Sequence, residues 1–201
     1  MTDRAFDRDT LIEAFQDLGT RAYKLGKVIE ISVYGGSALM LTYGWRLSTK
    51  AVDAAFEADK TLVRQLAAEI AEERGWDSTW LNDGVKGFIS AGDLDPASKV
   101  LFGTFPSEDA PGLRVMVAAP EYLFAMKCRA MRIGGVDENS DVDDVRRLAL
   151  EIGVTTVDEA LSLVADFYPH GLLQPKTRFG LEEIFGLFNP DDTTGRPGKE
   201  Q

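Results

Sequence analysis

The chain has 201 residues, a formal net charge of −11 and a sequence pI of about 4.6. A negative field of this size excludes a broad surface for non-specific nucleic-acid binding, although a local cluster such as Lys127, Arg129 and Arg132 can still meet phosphates. The single cysteine, Cys128, excludes an internal disulfide, and no apolar run is long enough to span a bilayer. Since the segment at Met1 has no signal-peptide pattern, we expect a soluble cytoplasmic protein.

Hydrophobic periodicity predicts mixed helices and strands in the first 118 residues. Apolar residues at helical spacing predict a helix over residues 8–25, with Asp9 or Thr10 as its N-cap. A β-branched run from Ile29 to Val33 predicts a buried strand that stops at Gly35-Gly36-Ser37. The next elements are a short helix over 38–43, strands over 52–57, 99–105 and 113–118, a helix over 62–74, and an ordered loop over 76–88 packed by Trp76, Trp80 and Phe88.

The remainder of the chain is predicted to be helical. Pro120 opens a helix with the sequence EYLFAMKCRAMR, ended by Gly134-Gly135, and Ser140 caps a helix that stops at Gly153. Thr156-Val-Asp-Glu is a capping box that starts another helix, and residues 179–188 form the last one. We therefore predict an α/β (α+β) fold. A small mixed β-sheet flanked by helices spans 1–118, a helical C-terminal cap spans 119–188, and a disordered tail spans 189–201.

Three separate motifs, in order, resemble one superfamily. The first is G-G-S-A-L-x-L followed by an arginine, a threonine and an aspartate-bearing strand; the others are PEYLFAMKCRAMR and SDVDDVRRLALEIG. Together they cover roughly residues 31–152 and resemble the minimal nucleotidyltransferases of the polymerase-β-like superfamily. The bacterial toxin–antitoxin and abortive-infection group, which includes AbiEii-type toxins, is the most similar.

The resemblance implies a nucleotidyltransferase fold, a nucleoside triphosphate substrate and Mg²⁺ as cofactor. By the same resemblance, catalytic roles fall to Asp53 as a metal ligand, to Lys127 as a triphosphate contact, and to Asp144 or Asp141 in the polar network around the site. Helical spacing places Asp141 and Asp144 on one face. The residues implied to bind the nucleotide are Gly36, Ser37, Arg46 and Thr49.

One position departs from the family pattern. The superfamily reads T-[KR]-D-x-D, whereas this chain reads Thr49-Lys50-Ala51-Val52-Asp53, with alanine at the first metal-binding aspartate. The strand over 113–118, where a third carboxylate often stands, offers only Arg114 and Met116. Loss of a carboxylate ligand impairs metal-assisted phosphoryl transfer, because charge neutralisation carries most of that catalysis. Ala51 therefore indicates either a natural pseudoenzyme or an engineered inactive variant of a toxic enzyme.

The expected function is transfer of a nucleotidyl group from a nucleoside triphosphate to RNA, tRNA in particular, or to protein, with this chain inactive or impaired. A non-catalytic antitoxin or binding module is the alternative, and a small-molecule acceptor is a third possibility. Expected partners are a nucleotide and either tRNA or a cognate toxin or antitoxin protein. Simpler interpretations stand beside these: Gly35-Gly36-Ser37 as a tight turn, Lys127 as a snorkelling side chain, and His170 and Cys128 as structural residues.

Overall fold

The computed structural model describes residues 5–131, 138–169 and 175–186. The chain divides into two compact units, Met1–Leu123 and Phe124–Gln201. The division falls inside a helix, a few residues after the boundary predicted between 118 and 119. Within the described ranges, no helix is long and apolar enough to cross a membrane.

The first unit contains most of the regular elements. Its helices are α1 (Arg8–Lys24), α2 (Gly35–Tyr43), α3 (Lys60–Arg74) and the start of α4 (Pro120–Ala130). Its strands are β1 (Ile29–Val33), β2 (Val52–Phe56), β3 (Leu81–Asn82), β4 (Lys99–Ser107) and β5 (Ala110–Ala118), with short 3-10 turns at Gly84–Gly87, Ala91–Leu94 and Pro96–Ser98. The second unit holds the end of α4 together with α5 (Glu138–Ile152), α6 (Val157–Phe167) and α7 (Pro175–Gly186).

The five strands form one mixed sheet in the order β3-β2-β1-β5-β4. β1 is central: it pairs antiparallel with β2 and parallel with β5, while β4 closes one edge as the hairpin partner of β5. The central position explains the apolar run that predicted β1, because Ile29, Ile31 and Val33 are all buried. The predicted α/β fold, a small mixed sheet flanked by helices, is confirmed.

Helix α1 lies directly on the β4–β5 hairpin, and glycines make that contact close. A Cβ atom at Gly112 would lie 1.9 Å from the carbonyl oxygen of Gly19, and one at Gly19 would lie 2.5 Å from that of Phe105. No side chain fits in either place, so backbone meets backbone there. The apolar face of α1, with Leu11, Phe15 and Leu18 all buried, completes the core on this side.

Several local predictions for the first unit were wrong. The N-cap of α1 is Asp7, whose side chain accepts a hydrogen bond from the Thr10 N–H, and not Asp9 or Thr10. The predicted loop over 76–88 contains the short strand β3, which pairs with β2. Trp80 is buried as expected, whereas Phe88 is 41% exposed.

In the second unit, the predicted capping box is confirmed: Thr156 accepts from the Glu159 N–H, and Glu159 accepts from the Thr156 N–H. Helix α5 begins at Glu138, so Ser140 lies inside the helix and is not its cap. The predictions for Gly134-Gly135, His170 and the tail over 189–201 lie outside the described residues.

Candidate functional site

The start of α2 carries the first predicted motif. Gly35-Gly36-Ser37 is not a turn before the helix but its first turn, since α2 begins at Gly35. Gly35 has a φ of +61°, a left-handed conformation that suits glycine and strains other residues. The first N–H groups of a helix have no partner within it, and the N-cap Tyr34 gives them no side-chain hydrogen bond. These N–H groups and the positive end of the helix dipole favour an anion.

The side chains of Ser37 and Thr49 point into the protein. Ser37 is 2% exposed, and its Oγ donates to the Ala51 carbonyl oxygen at 2.9 Å. The Thr49 Oγ1 reaches the same carbonyl at 2.9 Å and lies 3.4 Å from the Ser37 Oγ. The two hydroxyls thus hold the segment before β2 against the first turn of α2. The groups at this helix end that remain to meet an anion are therefore its backbone N–H groups, because both hydroxyls are directed to the Ala51 carbonyl.

Two charged side chains flank the same helix end. A methyl group built on Gly36 would lie 3.3 Å from Cδ and 3.4 Å from Cζ of Arg46. One built on Gly35 would lie 3.7 Å from Oδ2 of Asp53. Asp53 is exposed on β2, between the buried Val52 and Ala54, as strand alternation requires. The structure therefore places a guanidinium and a carboxylate beside two residues that have no side chain of their own.

The residues around Asp53 do not fit the two-carboxylate metal site of the family pattern. Position 51 supplies a methyl group and a backbone carbonyl, and that carbonyl already accepts from two hydroxyls. Over the described ranges, no group of three or more histidine, cysteine, aspartate or glutamate side chains is arranged to hold a metal ion. One exposed carboxylate alone is a weak ligand set for Mg²⁺.

The remaining predicted catalytic residues lie in the second unit, where they form ion pairs with one another. The ammonium of Lys127 on α4 lies 2.9 Å from Oδ1 of Asp141 and 2.8 Å from Oδ2 of Asp144, both on α5. The three side chains are 13%, 21% and 6% exposed, respectively. Lys127 therefore has two carboxylate partners already. Arg129, from the basic cluster noted in the sequence, lies over the ring of Tyr168, 4.7 Å from its centroid.

A polar network under the α2 site was missed by sequence reasoning. The Tyr34 hydroxyl donates to Oδ1 of Asp93 at 2.6 Å, and Oδ2 of Asp93 pairs with the Lys99 ammonium at 2.8 Å. Lys99 also pairs with Glu57 at 2.9 Å, and Glu57 accepts from the Ser32 hydroxyl at 3.0 Å. We call these five residues the Tyr34 network. The available signal was polar Ser32 among the apolar residues of β1 and the carboxylate of Glu57 directly after β2.

Burial and hydrogen bonding set the protonation of this network. Burial raises the pKa of the Tyr34 phenol far above its usual value, and the bond to Asp93 raises it further, so the hydroxyl stays a donor. Burial alone would lower the pKa of Lys99, but its hydrogen bonds to Asp93 and Glu57 outweigh this and hold the pKa above the ordinary value. Elsewhere, complete burial raises the pKa of the Cys128 thiol, which fits a structural cysteine and not a nucleophile.

Comparison with models of known protein families and with curated proteins gives no significant match. Among solved structures, the chain is similar to an antigenic nucleotidyltransferase-like protein from Paracoccidioides brasiliensis. The two share 13% sequence identity and a TM-score of 0.46, over 91% of this chain and 100% of that chain.

Proposed function

We propose that this chain is a nucleotidyltransferase-type protein that binds a nucleoside triphosphate at the amino end of α2 and is impaired in nucleotidyl transfer. One observation carries the proposal. The first turn of α2 presents backbone N–H groups at two glycines, with the Arg46 side chain packed against Gly36. Phosphate oxygens are suited to such a combination of helix N–H groups and a guanidinium.

The sequence resemblance supports the choice of reaction. Its motifs are those of toxin–antitoxin nucleotidyltransferases, so we propose that the parent reaction transfers a nucleotidyl group to RNA, tRNA in particular, or to protein. Asp53 remains the one carboxylate of the metal pattern beside the α2 site. The role of Lys127 as a triphosphate contact stays a prediction, since in the second unit its ammonium is shared by Asp141 and Asp144.

Ala51 favours a second candidate, a non-catalytic nucleotide-binding protein of the same kind acting as an antitoxin or binding module. The alanine removes one of two expected carboxylates. Its carbonyl is also fixed by Ser37 and Thr49, so the backbone at this position is held in place. A chain with this site would bind the nucleotide while lacking the charge neutralisation that the transfer step requires.

Restoring the carboxylate separates the two candidates. The wild-type chain, Ala51→Asp and the uncharged control Ala51→Asn are each incubated with Mg²⁺, total tRNA and each of the four labelled nucleoside triphosphates. If the parent reaction is nucleotidyl transfer, Ala51→Asp incorporates label and Ala51→Asn does not. The double variant Ala51→Asp, Asp53→Asn then loses the gain. Expression of Ala51→Asp should also arrest growth if the parent is a toxin.

Nucleotide binding is measured separately. Titration of the wild-type chain with each triphosphate should give saturable binding that Arg46→Gln weakens about tenfold, because a charge-assisted contact to phosphate is lost. Binding without incorporation by Ala51→Asp favours the non-catalytic candidate. The absence of binding and of incorporation, with all four triphosphates, would contradict both.

A further inference from the structure

Tyr34 lies between β1 and the first turn of α2, and both its backbone and its side chain make hydrogen bonds. Its N–H donates to the Asp53 carbonyl at 2.9 Å, and its carbonyl accepts from the Ala38 N–H at 3.3 Å. Its side chain is fully buried, and the hydroxyl donates to Asp93 at 2.6 Å. The residue that precedes the two glycines is thus fixed by both its backbone and its side chain.

The acceptor is fixed as well. Asp93 is 8% exposed and pairs with Lys99 through its other carboxylate oxygen. The Ser98 hydroxyl lies 3.3 Å from the backbone carbonyl of Asp93 and 2.7 Å from that of Asp95. The bond to Tyr34 therefore ties α2 to a carboxylate that is itself paired with Lys99 and whose backbone carbonyl accepts from Ser98.

Two side-chain anchors flank the glycines at the start of α2. Gly35 and Gly36 have no side chains with which to hold the first turn, and glycine permits more backbone conformations than other residues. Tyr34 precedes them, and after them the Ser37 hydroxyl anchors the turn to the Ala51 carbonyl. These two side-chain hydrogen bonds therefore restrict the orientation of the N–H groups of Gly35 and Gly36.

We propose that Tyr34 is a positioning residue for nucleoside triphosphate binding. Its hydrogen bond to Asp93 holds the first turn of α2 in the orientation that brings the N–H groups onto the phosphate oxygens. The proposal rests on the nucleotide-binding function proposed above. It adds that the Tyr34 network determines the affinity of the site for phosphate by orienting the first turn of α2, although its members need not touch the ligand.

The test compares two hydroxyl deletions in one aromatic cluster. The rings of Tyr34 and Tyr122 meet edge to face, with centroids 6.1 Å apart, and the Tyr122 hydroxyl accepts from the Ser90 N–H at 2.8 Å. Tyr34→Phe and Tyr122→Phe each remove one bonded hydroxyl and keep the ring. Affinities for ATP, GTP, CTP, UTP and the matching nucleosides are measured by calorimetry, and stability by urea unfolding.

We expect Tyr34→Phe to raise the Kd for the bound triphosphate by about five- to tenfold, because only part of the free energy of a hydrogen bond to a charged group reaches a ligand that Tyr34 does not touch. The Kd for the nucleoside, which has no phosphate, should not change. Tyr122→Phe should leave both affinities unchanged, although it costs similar stability. A general structural role for Tyr34 would instead weaken nucleoside and triphosphate binding together, or would give the two tyrosine variants the same loss.

Asp93 variants complete the test. Asp93→Ala should weaken triphosphate binding about as much as Tyr34→Phe, and the double variant should lose no more than either single one. Asp93→Asn keeps an oxygen that can accept from Tyr34 and should retain most of the affinity. Additive losses overturn the proposal. If the wild-type chain binds no triphosphate, the proposed function itself fails; if it binds and Tyr34→Phe binds equally well, only the positioning role fails.

Discussion

Two lysines, one in each unit, each bridge a pair of carboxylates in nearly the same geometry. Lys127 lies 2.9 and 2.8 Å from Asp141 and Asp144, and Lys99 lies 2.9 and 2.8 Å from Glu57 and Asp93. Each group has one ammonium for two carboxylates. We call them the Lys127 triad and the Lys99 triad. Their difference lies in how the chain builds them and in what they connect.

The Lys127 triad joins only two helices. Its two carboxylates lie one turn apart on α5, and its lysine comes from α4. The Lys99 triad is assembled from Glu57 directly after β2, the 3-10 turn at Ala91–Leu94 and β4, and it continues through Tyr34 to the start of α2. The first triad joins α4 to α5, and the second joins segments of the first unit to Tyr34 at the start of α2. The sequence motif predicted Lys127, whereas the link from Lys99 to Tyr34 is visible only in the structure.

The largest effect should come from Lys127→Met, which keeps the apolar stem and removes the charge. Both carboxylates would then lose the ammonium that they share, and Asp144 is only 6% exposed. Breaking a buried ion pair by removing one partner costs about 3–5 kcal/mol, and we expect a loss of that order in the free energy of unfolding in urea. Arg146→Gln is the matched control on α5, because its pair with Asp143 is exposed at 3.9 Å and should contribute about 0.5 kcal/mol or less. Equal losses for the two variants would show that burial does not strengthen the Lys127 triad.

Lys99→Met should cost less, about 1–3 kcal/mol, because one of the two carboxylates left behind can turn to water. The side chain of Glu57 is 38% exposed, whereas that of Asp93 is 9% exposed. This variant should also weaken triphosphate binding, since Asp93 would lose the partner that orients it toward Tyr34. Lys27→Met, whose exposed pair with Asp59 is 3.9 Å long, serves as the control for urea unfolding and for calorimetry. A triphosphate Kd that is unchanged in Lys99→Met would show that Lys99 does not contribute to binding through Asp93 and Tyr34.

The two triads also show what the sequence predicts and what it does not. The Asp141 and Asp144 spacing is visible because residues three apart share a helix face, and the lysine-bearing helix carries its own motif. The Lys99 triad depends on strand order and on a 3-10 turn that the loop-like sequence after Trp80 did not indicate. The β2 strand with Asp53 was predicted, but no local pattern indicated that the Ser37 hydroxyl would turn inward to the Ala51 carbonyl. Periodicity thus predicted four of the five strands of the sheet and its helices, while contacts between distant segments needed the fold.

The smallest expected effect is the pH dependence of the stability that Glu57 contributes to the Lys99 triad. Burial acts to raise the pKa of Glu57, but hydrogen bonds from Lys99 and Ser32 outweigh it and hold the pKa below the ordinary value of 4.5. A carboxyl whose folded pKa is depressed stabilises the protein above its unfolded pKa, and that contribution is lost as pH falls through the lower folded value. The stability advantage of the wild-type chain over Glu57→Gln should therefore be constant near pH 6 and shrink progressively below about pH 4.5. Urea midpoints measured for both chains between about pH 6 and 3 check this. Because Glu57 is more than a third exposed, solvent screens the interaction and the change should be modest. An advantage that stayed constant or grew in acid would mean that the Lys99 ammonium does not hold the Glu57 carboxylate in its charged form.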